Sequence, residues 1–317
     1  MTKLGIIGVG RVGSQVLTDA QYLGCFSQIV VVDTDTSQAE GEVLDHLHIQ
    51  GLKRSHHVDI QTGGYEDLKD ADIVIISASA PSTPDMKDRT LLTKANSTIV
   101  HEVFSKLSAV TTEPIVILIS NPVDAMTYLG HQAGYPADKV IGTGTILESS
   151  RFRTLIAAYY DVDPKDVEAF VLGEHGSHCV PVWSRVRIHG IELPEFEQLT
   201  GAEPINQAAV SHSIDEVAFD VFIKKGWTNA AISRAAVQLA HAVVLNEHTI
   251  EPVSGLVNHE YGLSDGALSL LTLIDRQGIK QRLPIALSDT EVQQLEAAHQ
   301  FIQQAIEQGE QAIKENQ

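Results

Sequence analysis

The chain has 317 residues, 43% of them hydrophobic and 20% charged, an ordinary globular composition that excludes a largely disordered polymer. With 22 Lys and Arg against 41 Asp and Glu, its formal net charge is -19, a surface that repels nucleic acid and anionic membranes. No apolar run approaches the roughly 18 residues a membrane helix needs. Two cysteines, Cys25 and Cys179, are too few for a disulfide framework or a four-cysteine zinc site.

Met1-Thr2-Lys3 leads straight into an apolar run, so no secretory signal is expected and the reading is a soluble, cytoplasmic protein. Strands are predicted at Leu4–Ile7, Ile29–Val32, Ile73–Ile76, Ile115–Ile119 and Val140–Ile141. They are β-branched, continuous rather than alternating, and far apart, as parallel strands covered on both faces by crossover helices should be.

Gly8-Val9-Gly10-Arg11-Val12-Gly13 fits G-x-G-x-x-G, follows the first strand and opens a helical stretch over Val12–Leu23. Asp33 closes the next strand. Gly8 suits a tight turn, Gly10 a close backbone approach to a pyrophosphate, and Gly13 close packing of helix on strand. The helix N-terminus offers free N–H groups to phosphates, and Asp33 offers acceptors to ribose hydroxyls. A 2′-phosphate would meet the carboxylates of Asp33 and Asp35, so NAD is favoured over NADP. His46, His48, His56 and His57 read as a solvated helix end and loop rather than as metal ligands, and no metal is expected.

Ala78–Arg89 follows the strand at Ile73–Ile76 and so lies at the carboxyl end of the sheet, where ligands bind in such folds; its prolines and small residues suit a closing lid. Glu148 and Arg151 fall three apart in a helix predicted over Leu147–Asp161, so they share a face. Strands are expected at Val167–Val171 and Val180–His189. Between them, Gly173-Glu174-His175-Gly176 presents a histidine with little steric cover, a group suited to proton exchange near neutral pH. Cys179 reads as a small apolar packing residue. Helices follow at Ile205–Lys225 and Asn229–Asn246, then a β-rich stretch from Ile250 to Leu287. Ser288-Asp289-Thr290-Glu291 is a capping box opening a last helix that turns Val292, Leu295, Ile302 and Ile306 to one side.

Each feature alone is compatible with a surface loop, a turn histidine or an ordinary ion pair. Their order is what carries meaning. Gly8–Gly13, Asp33, Arg89, Ser120-Asn121-Pro122-Val123-Asp124, Val140-Ile141-Gly142-Thr143-Gly144-Thr145, Arg151, Gly173-Glu174-His175-Gly176 and Thr228 together resemble the L-lactate and malate dehydrogenase superfamily over nearly the whole chain. The likeness is closest to L-lactate and L-2-hydroxyisocaproate dehydrogenases. It implies an α/β fold: a Rossmann-type doubly wound parallel sheet (residues 1–143, binding NAD) followed by an α+β substrate-binding domain (residues 144–317). It also implies a homo-oligomer, a tetramer.

The resemblance further implies roles. His175 would donate and accept the proton, with Glu148 as the carboxylate behind it. Arg151 would hold the substrate carboxylate, and Arg89 would polarise the carbonyl from the lid. Asn121 would contact the substrate oxygen and sit near the nicotinamide. Thr228 would line the substrate pocket, and Ser82 and Thr83 would occupy the specificity region of the lid. Val12, Ala78 and Ile232 would join Gly8, Gly10, Gly13 and Asp33 around the cofactor. The substrate would be a small 2-oxo or 2-hydroxy monocarboxylate, with lactate dehydrogenase, 2-hydroxyisocaproate dehydrogenase and malate dehydrogenase as the enzymatic alternatives. A non-catalytic dinucleotide-binding protein is the alternative of another class, and the presence of His175, Arg89 and Arg151 argues against it.

The chain departs from the family in four places. Glu148 stands where Asp is usual, and Ser177 where Asp or Asn is frequent. Ser82 and Thr83 replace the usual Gln, and no cation lies between Ala78 and Met86, so a dicarboxylate would leave a buried charge unpaired. Arg153 matches an arginine that binds fructose 1,6-bisphosphate in many bacterial lactate dehydrogenases, but Glu168 occupies the position of the partnering histidine, so weak or absent activation is expected.

Overall fold

The computed structural model describes residues 2–81 and 89–316, with only the backbone of residues 89–91. Six parallel strands make its first half: β1 (Lys3–Ile7), β2 (Gln28–Val32), β3 (Asp59–Thr62), β4 (Ile73–Ile76), β5 (Ile115–Leu118) and β6 (Val140–Gly142). Their spatial order is β3-β2-β1-β4-β5-β6, the doubly wound dinucleotide-binding order. Helices α1 (Arg11–Leu23), α2 (Thr36–Ile49), α3 (Arg89–Val110) and α4 (Val123–Gln132) cover its faces.

The reason for the unbroken apolar strands is now visible. Ile7, Val32, Val74, Ile76, Val116 and Leu118 pack on one face beneath α3 and α4. Leu4, Ile6, Ile29, Val31, Ile75 and Ile117 pack on the other beneath α1 and α2. Successive side chains alternate faces, and both faces are core. Strand β3 carries no such signal because it is an edge strand with only Ile60 of its four residues buried.

The second half begins with α5 (Ile146–Tyr160) and includes α6 (Leu193–Thr200), α7 (Gln207–Lys225), α8 (Ala230–Leu245) and α9 (Asp289–Glu315). Its strands β8 (Val171–Gly173), β9 (Cys179–Pro181), β12 (Thr249–Leu256), β13 (Ala267–Asp275) and β14 (Gly278–Arg282) are antiparallel and extend the first sheet beyond β6. A small sheet holds β7 (Val167–Glu168), β10 (Arg187–Ile188) and β11 (Ile191–Glu192). The last helix opens as expected, with the Ser288 side chain accepting from the Glu291 N–H and Glu291 accepting from the Ser288 N–H.

Two expected strands are corrected. Val167–Val171 is two strands in different sheets: Val167 pairs with Ile188, Val171 with Pro181. Val180–His189 is broken by a turn at Trp183–Arg185. Pro181 lacks an N–H, and the N–H and Oγ of Ser184 go to the Glu291 carboxylate at 3.0 and 2.7 Å rather than to a neighbouring strand. The histidine reading is corrected at one residue. His46 is 4% exposed, with Nδ1 2.8 Å from the Glu42 carbonyl and Nε2 3.0 Å from Thr18 Oγ1, so it packs α2 on α1. No helix among the described residues is long and apolar enough to cross a membrane.

Candidate active site

The glycine-rich turn has the geometry its spacing called for. Gly8 sits at φ +87°, and a Cβ there would lie 2.6 Å from the Ala78 nitrogen. A Cβ on Gly13 would fall 1.9 Å from the Gly8 carbonyl oxygen, so only glycine lets α1 close on β1. A Cβ on Gly10 would meet nothing within 4 Å, which leaves the main chain open to a ligand. Helix α1 has no side-chain cap and no acidic residue in its first turn, so its N-terminal N–H groups and positive dipole stay available to an anion. Asp33 Oδ2 accepts from the Val9 N–H at 2.6 Å, while Oδ1 accepts from the Asp35 N–H at 2.9 Å and from Thr34 Oγ1 at 3.4 Å, which leaves Oδ2 with a further acceptor site. This donor and acceptor set fits a dinucleotide whose ribose hydroxyls are unphosphorylated.

The carboxyl ends of β4 and β5 are tied together beside this turn. Ser120 Oγ donates to the Ala78 carbonyl at 2.6 Å. Asn96 on α3, 1% exposed, accepts from the Ala80 N–H at 2.7 Å and donates to the Asn121 carbonyl at 2.6 Å. Asn121 itself is exposed. Ser82 and Thr83 lie outside the described residues, as does the side chain of Arg89, whose backbone opens α3. Val12, in the first turn of α1, packs half-buried against the core. Thr228 is half-buried between α7 and α8, and Ile232 is buried one turn into α8, which packs on α1 and α5. Thr228 has no hydrogen bond to the histidine site among the described residues.

That site is built from α5 and the loop after β8. Glu148, in the first turn of α5, is 3% exposed. Its Oε2 lies 3.0 Å from His175 Nδ1, and its Oε1 accepts from Arg151 Nη1 at 2.8 Å. Two residues on one helix face, Glu148 and Arg151, thus meet a third from the loop after β8, with one buried carboxylate gripping both an imidazole and a guanidinium. Burial opposes ionisation of Glu148, but the charge and hydrogen bond of His175 and the charge of Arg151 outweigh it and hold the carboxyl below its usual range. An ionised carboxylate only accepts, so Nδ1 carries its hydrogen and Nε2 is the nitrogen left for chemistry. Burial opposes the charge on His175 as well; the carboxylates of Glu148, Asp124 and Glu174 overcome it and raise the imidazolium to about 9.

Two of these carboxylates were not assigned a role from sequence. Glu174 is buried beneath its own loop, where it takes the His178 N–H at 2.8 Å. A Cβ on Gly176 would sit 2.4 Å from its Oε1, which explains the second glycine of Gly173-Glu174-His175-Gly176. Burial, reinforced by the Asp124 and Glu148 charges, pushes Glu174 up to about 7. Asp124 accepts the His175 backbone N–H at 2.8 Å. Only the motif Ser120–Asp124 drew attention to it in the sequence. Cys179 packs against the cluster around Phe152 and Ile156. Burial and the nearby carboxylates push its thiol up to about 12, so it stays protonated, as a packing residue would. No group of three or more His, Cys, Asp or Glu among the described residues is placed to hold a metal ion.

A doubly wound sheet with a dinucleotide turn at its switch point, beside an imidazolium and a guanidinium sharing one buried carboxylate, defines an oxidoreductase built to reduce a carbonyl next to an anionic group. Comparison with known proteins narrows the class. Residues 2–142 match the NAD-binding domain model of lactate/malate dehydrogenases, and residues 145–313 match the α/β C-terminal domain model. The chain therefore belongs to the lactate/malate dehydrogenase family. It is 36% identical over 296 residues to L-lactate dehydrogenase 2 of Clostridium acetobutylicum, covering 92% of each chain. It is 34% identical over 308 residues to the L-lactate dehydrogenase of Selenomonas ruminantium, covering 96% of this chain and 97% of that one. Its fold superposes on the ligand-bound crystal structure of a minor L-lactate dehydrogenase from Enterococcus mundtii with a TM-score of 0.91 at 29% identity, covering 96% of this chain and 98% of that one.

Proposed function

We propose that this NAD-dependent oxidoreductase interconverts (S)-lactate and pyruvate. The observation that carries the reading is the Glu148 carboxylate bridging His175 Nδ1 and Arg151 Nη1 at 3.0 and 2.8 Å. Gly8, Gly10, Val12, Gly13, Asp33, Ala78, Asn121 and Ile232 would hold NADH, which when bound would supply the hydride to the carbonyl carbon. The chain's own residues do the rest. Arg151 turns the part of its guanidinium not engaged by Glu148 to the substrate carboxylate. His175 Nε2–H faces the carbonyl oxygen, stabilises the negative charge that builds there and gives up its proton to it. Arg89 adds a second cation to that oxygen, Asn121 contacts it, and Thr228, Ser82 and Thr83 shape the pocket around the substrate's third carbon. In the reverse direction neutral His175 takes the hydroxyl proton.

Residues 1–143 form the cofactor unit and residues 144–317 the substrate unit of this scheme. Tyr22, Leu44, Leu47 and Leu52 leave an apolar, exposed side on α1, α2 and the segment after it, which supports assembly into a homo-oligomer, a tetramer as the family likeness implies. A cytoplasmic enzyme of glycolysis or fermentation is the setting that the likeness to L-lactate dehydrogenases supports.

NADH oxidation with pyruvate, oxaloacetate and 4-methyl-2-oxopentanoate tests this reading. A kcat/KM for pyruvate at least roughly 10²-fold above that for oxaloacetate is expected, because nothing between Ala78 and Met86 can pair a second carboxylate. A preference for 4-methyl-2-oxopentanoate would move the assignment to a 2-hydroxyisocaproate dehydrogenase, which the small Ser82 and Thr83 also allow; a preference for oxaloacetate would overturn it.

Regulation by a sugar bisphosphate is expected to be weak or missing. Arg153 already donates to the Ala169 carbonyl at 3.0 Å and feels the Glu251 carboxylate, while Glu168 stands exposed on β7 where a phosphate would need a cation. Adding fructose 1,6-bisphosphate should change the pyruvate KM by less than about twofold; a large drop in KM would show a phosphate site that these charges do not suggest.

A further inference from the structure

Three buried carboxylates surround His175, and the proposed function uses only one of them. Asp124 is the least expected. It lies in the first turn of α4, 2% exposed, 51 residues before the histidine in sequence. Its Oδ2 takes the His175 main-chain N–H at 2.8 Å, and its Oδ1 takes Ser269 Oγ on β13 at 3.0 Å. Ser269 is itself paired with Gly173, the last residue of β8 before the histidine loop. One carboxylate therefore joins the cofactor half, through α4, to the loop that carries the acid and to the strand beside it. Asn121 lies three residues before Asp124, so the same short segment sets both Asn121 and His175.

We propose that Asp124 is a positioning residue for the reaction: by gripping the His175 main chain and presenting a fixed negative charge beside its ring, it both seats the imidazole and helps keep the proton on it. The proposal rests on the reading of His175 as the proton donor.

A carboxylate can do this where a neutral acceptor cannot. Either would satisfy the N–H, but only the anion lowers the free energy of the imidazolium across a short path through protein of low polarity. The charged groups facing His175 among the described residues are Glu148 and Arg151 from α5, Asp124 from α4 and Glu174 from its own loop. Cys179 on β9 is protonated, and Asp215 on α7 lies farther out, on the Cys179 side. Near Asp124 lies Arg282, a half-buried residue whose guanidinium donates to the carbonyls of Val253, Gly255 and Leu268 and to Thr272 Oγ1 at 2.5–2.9 Å, bracing β12 against β13. Burial raises Asp124's own carboxyl, and the His175 N–H and Ser269 hydroxyl work against that rise.

Asp124→Asn is the test, because the amide keeps an acceptor for the His175 N–H and loses only the charge. The His175 ring is titrated by NMR in the NADH complex, its signal assigned by its loss in His175→Asn, and kcat/KM for pyruvate reduction is followed against pH. The expected result is a fall of about one pH unit in the His175 titration, matched by the alkaline limb of reduction. A His175 titration unchanged within about 0.2 units in the folded variant overturns the proposal, whatever the activity. A wild-type protein that turns over no 2-oxo acid would instead overturn the proposed function, and the ring titration would still read the effect of Asp124. Should Asp124→Asn not fold, Ser269→Ala loosens the same carboxylate: kcat is expected to fall several-fold with KM held, and no change in kcat overturns the proposal.

Discussion

Asparagine at His175 is expected to lower kcat for pyruvate reduction by roughly 10³-fold, about 4 kcal/mol of barrier, while NADH still binds within a few-fold of wild type. The residues assigned to the cofactor do not include His175, so the loss should fall on chemistry rather than on cofactor affinity. Asparagine keeps a small polar side chain over Glu148 but has no proton to give near neutral pH. The pH dependence follows with a definite sign. Because the site raises His175 to about 9, the imidazolium is present throughout the neutral range. Reduction should therefore be flat below that value and fall as pH rises through it; oxidation of lactate, which needs the neutral ring, should rise over the same interval. Stopped-flow reduction across pH checks both. A variant that keeps more than about a tenth of wild-type kcat would remove His175 from the reaction.

The second large effect is expected at Glu148. Glu148→Gln preserves size and one hydrogen bond but removes the charge that holds His175 and Arg151 at once. A fall in kcat/KM of roughly 10²- to 10³-fold is expected, with two separable parts. The kcat part comes from an imidazole whose titration drops toward its ordinary value, moving the alkaline limb of reduction into the neutral range. The KM part comes from an arginine that has lost the partner setting its rotamer, so the substrate carboxylate meets a less ordered cation. Glu148→Asp restores the charge with one methylene fewer and should recover most of the kcat, to within about tenfold of wild type. An alkaline limb that does not move in Glu148→Gln would show that another carboxylate supports His175.

Gly8, Gly10 and Gly13 were legible because their reasons are local: a turn, an open backbone and a helix pressed on the strand just before it. The six-strand half was legible, its edge strand β3 apart, because a strand buried on both faces writes a continuous apolar run. The Ser288–Glu291 cap was legible because both partners lie within one turn. Glu148 and Arg151 could be placed on one face of α5 by helical spacing alone.

What that spacing could not supply was the third partner. His175 reaches Glu148 across 27 residues, Asp124 reaches His175 across 51, and Ser269 reaches Asp124 across 145. Asn96, which ties the loops after β4 and β5, is an ordinary polar residue in a helix until both loops arrive beside it. His46 looked solvated until α1 packed over it, and Ser184 looked like a strand residue until Glu291 took its N–H. Periodicity records which side of an element is apolar, because that depends on the element's own geometry. Which polar group ends up facing which depends on how the elements cross, and that is decided by the packing of the whole chain, where a buried donor or acceptor must find a partner or cost the fold its desolvation.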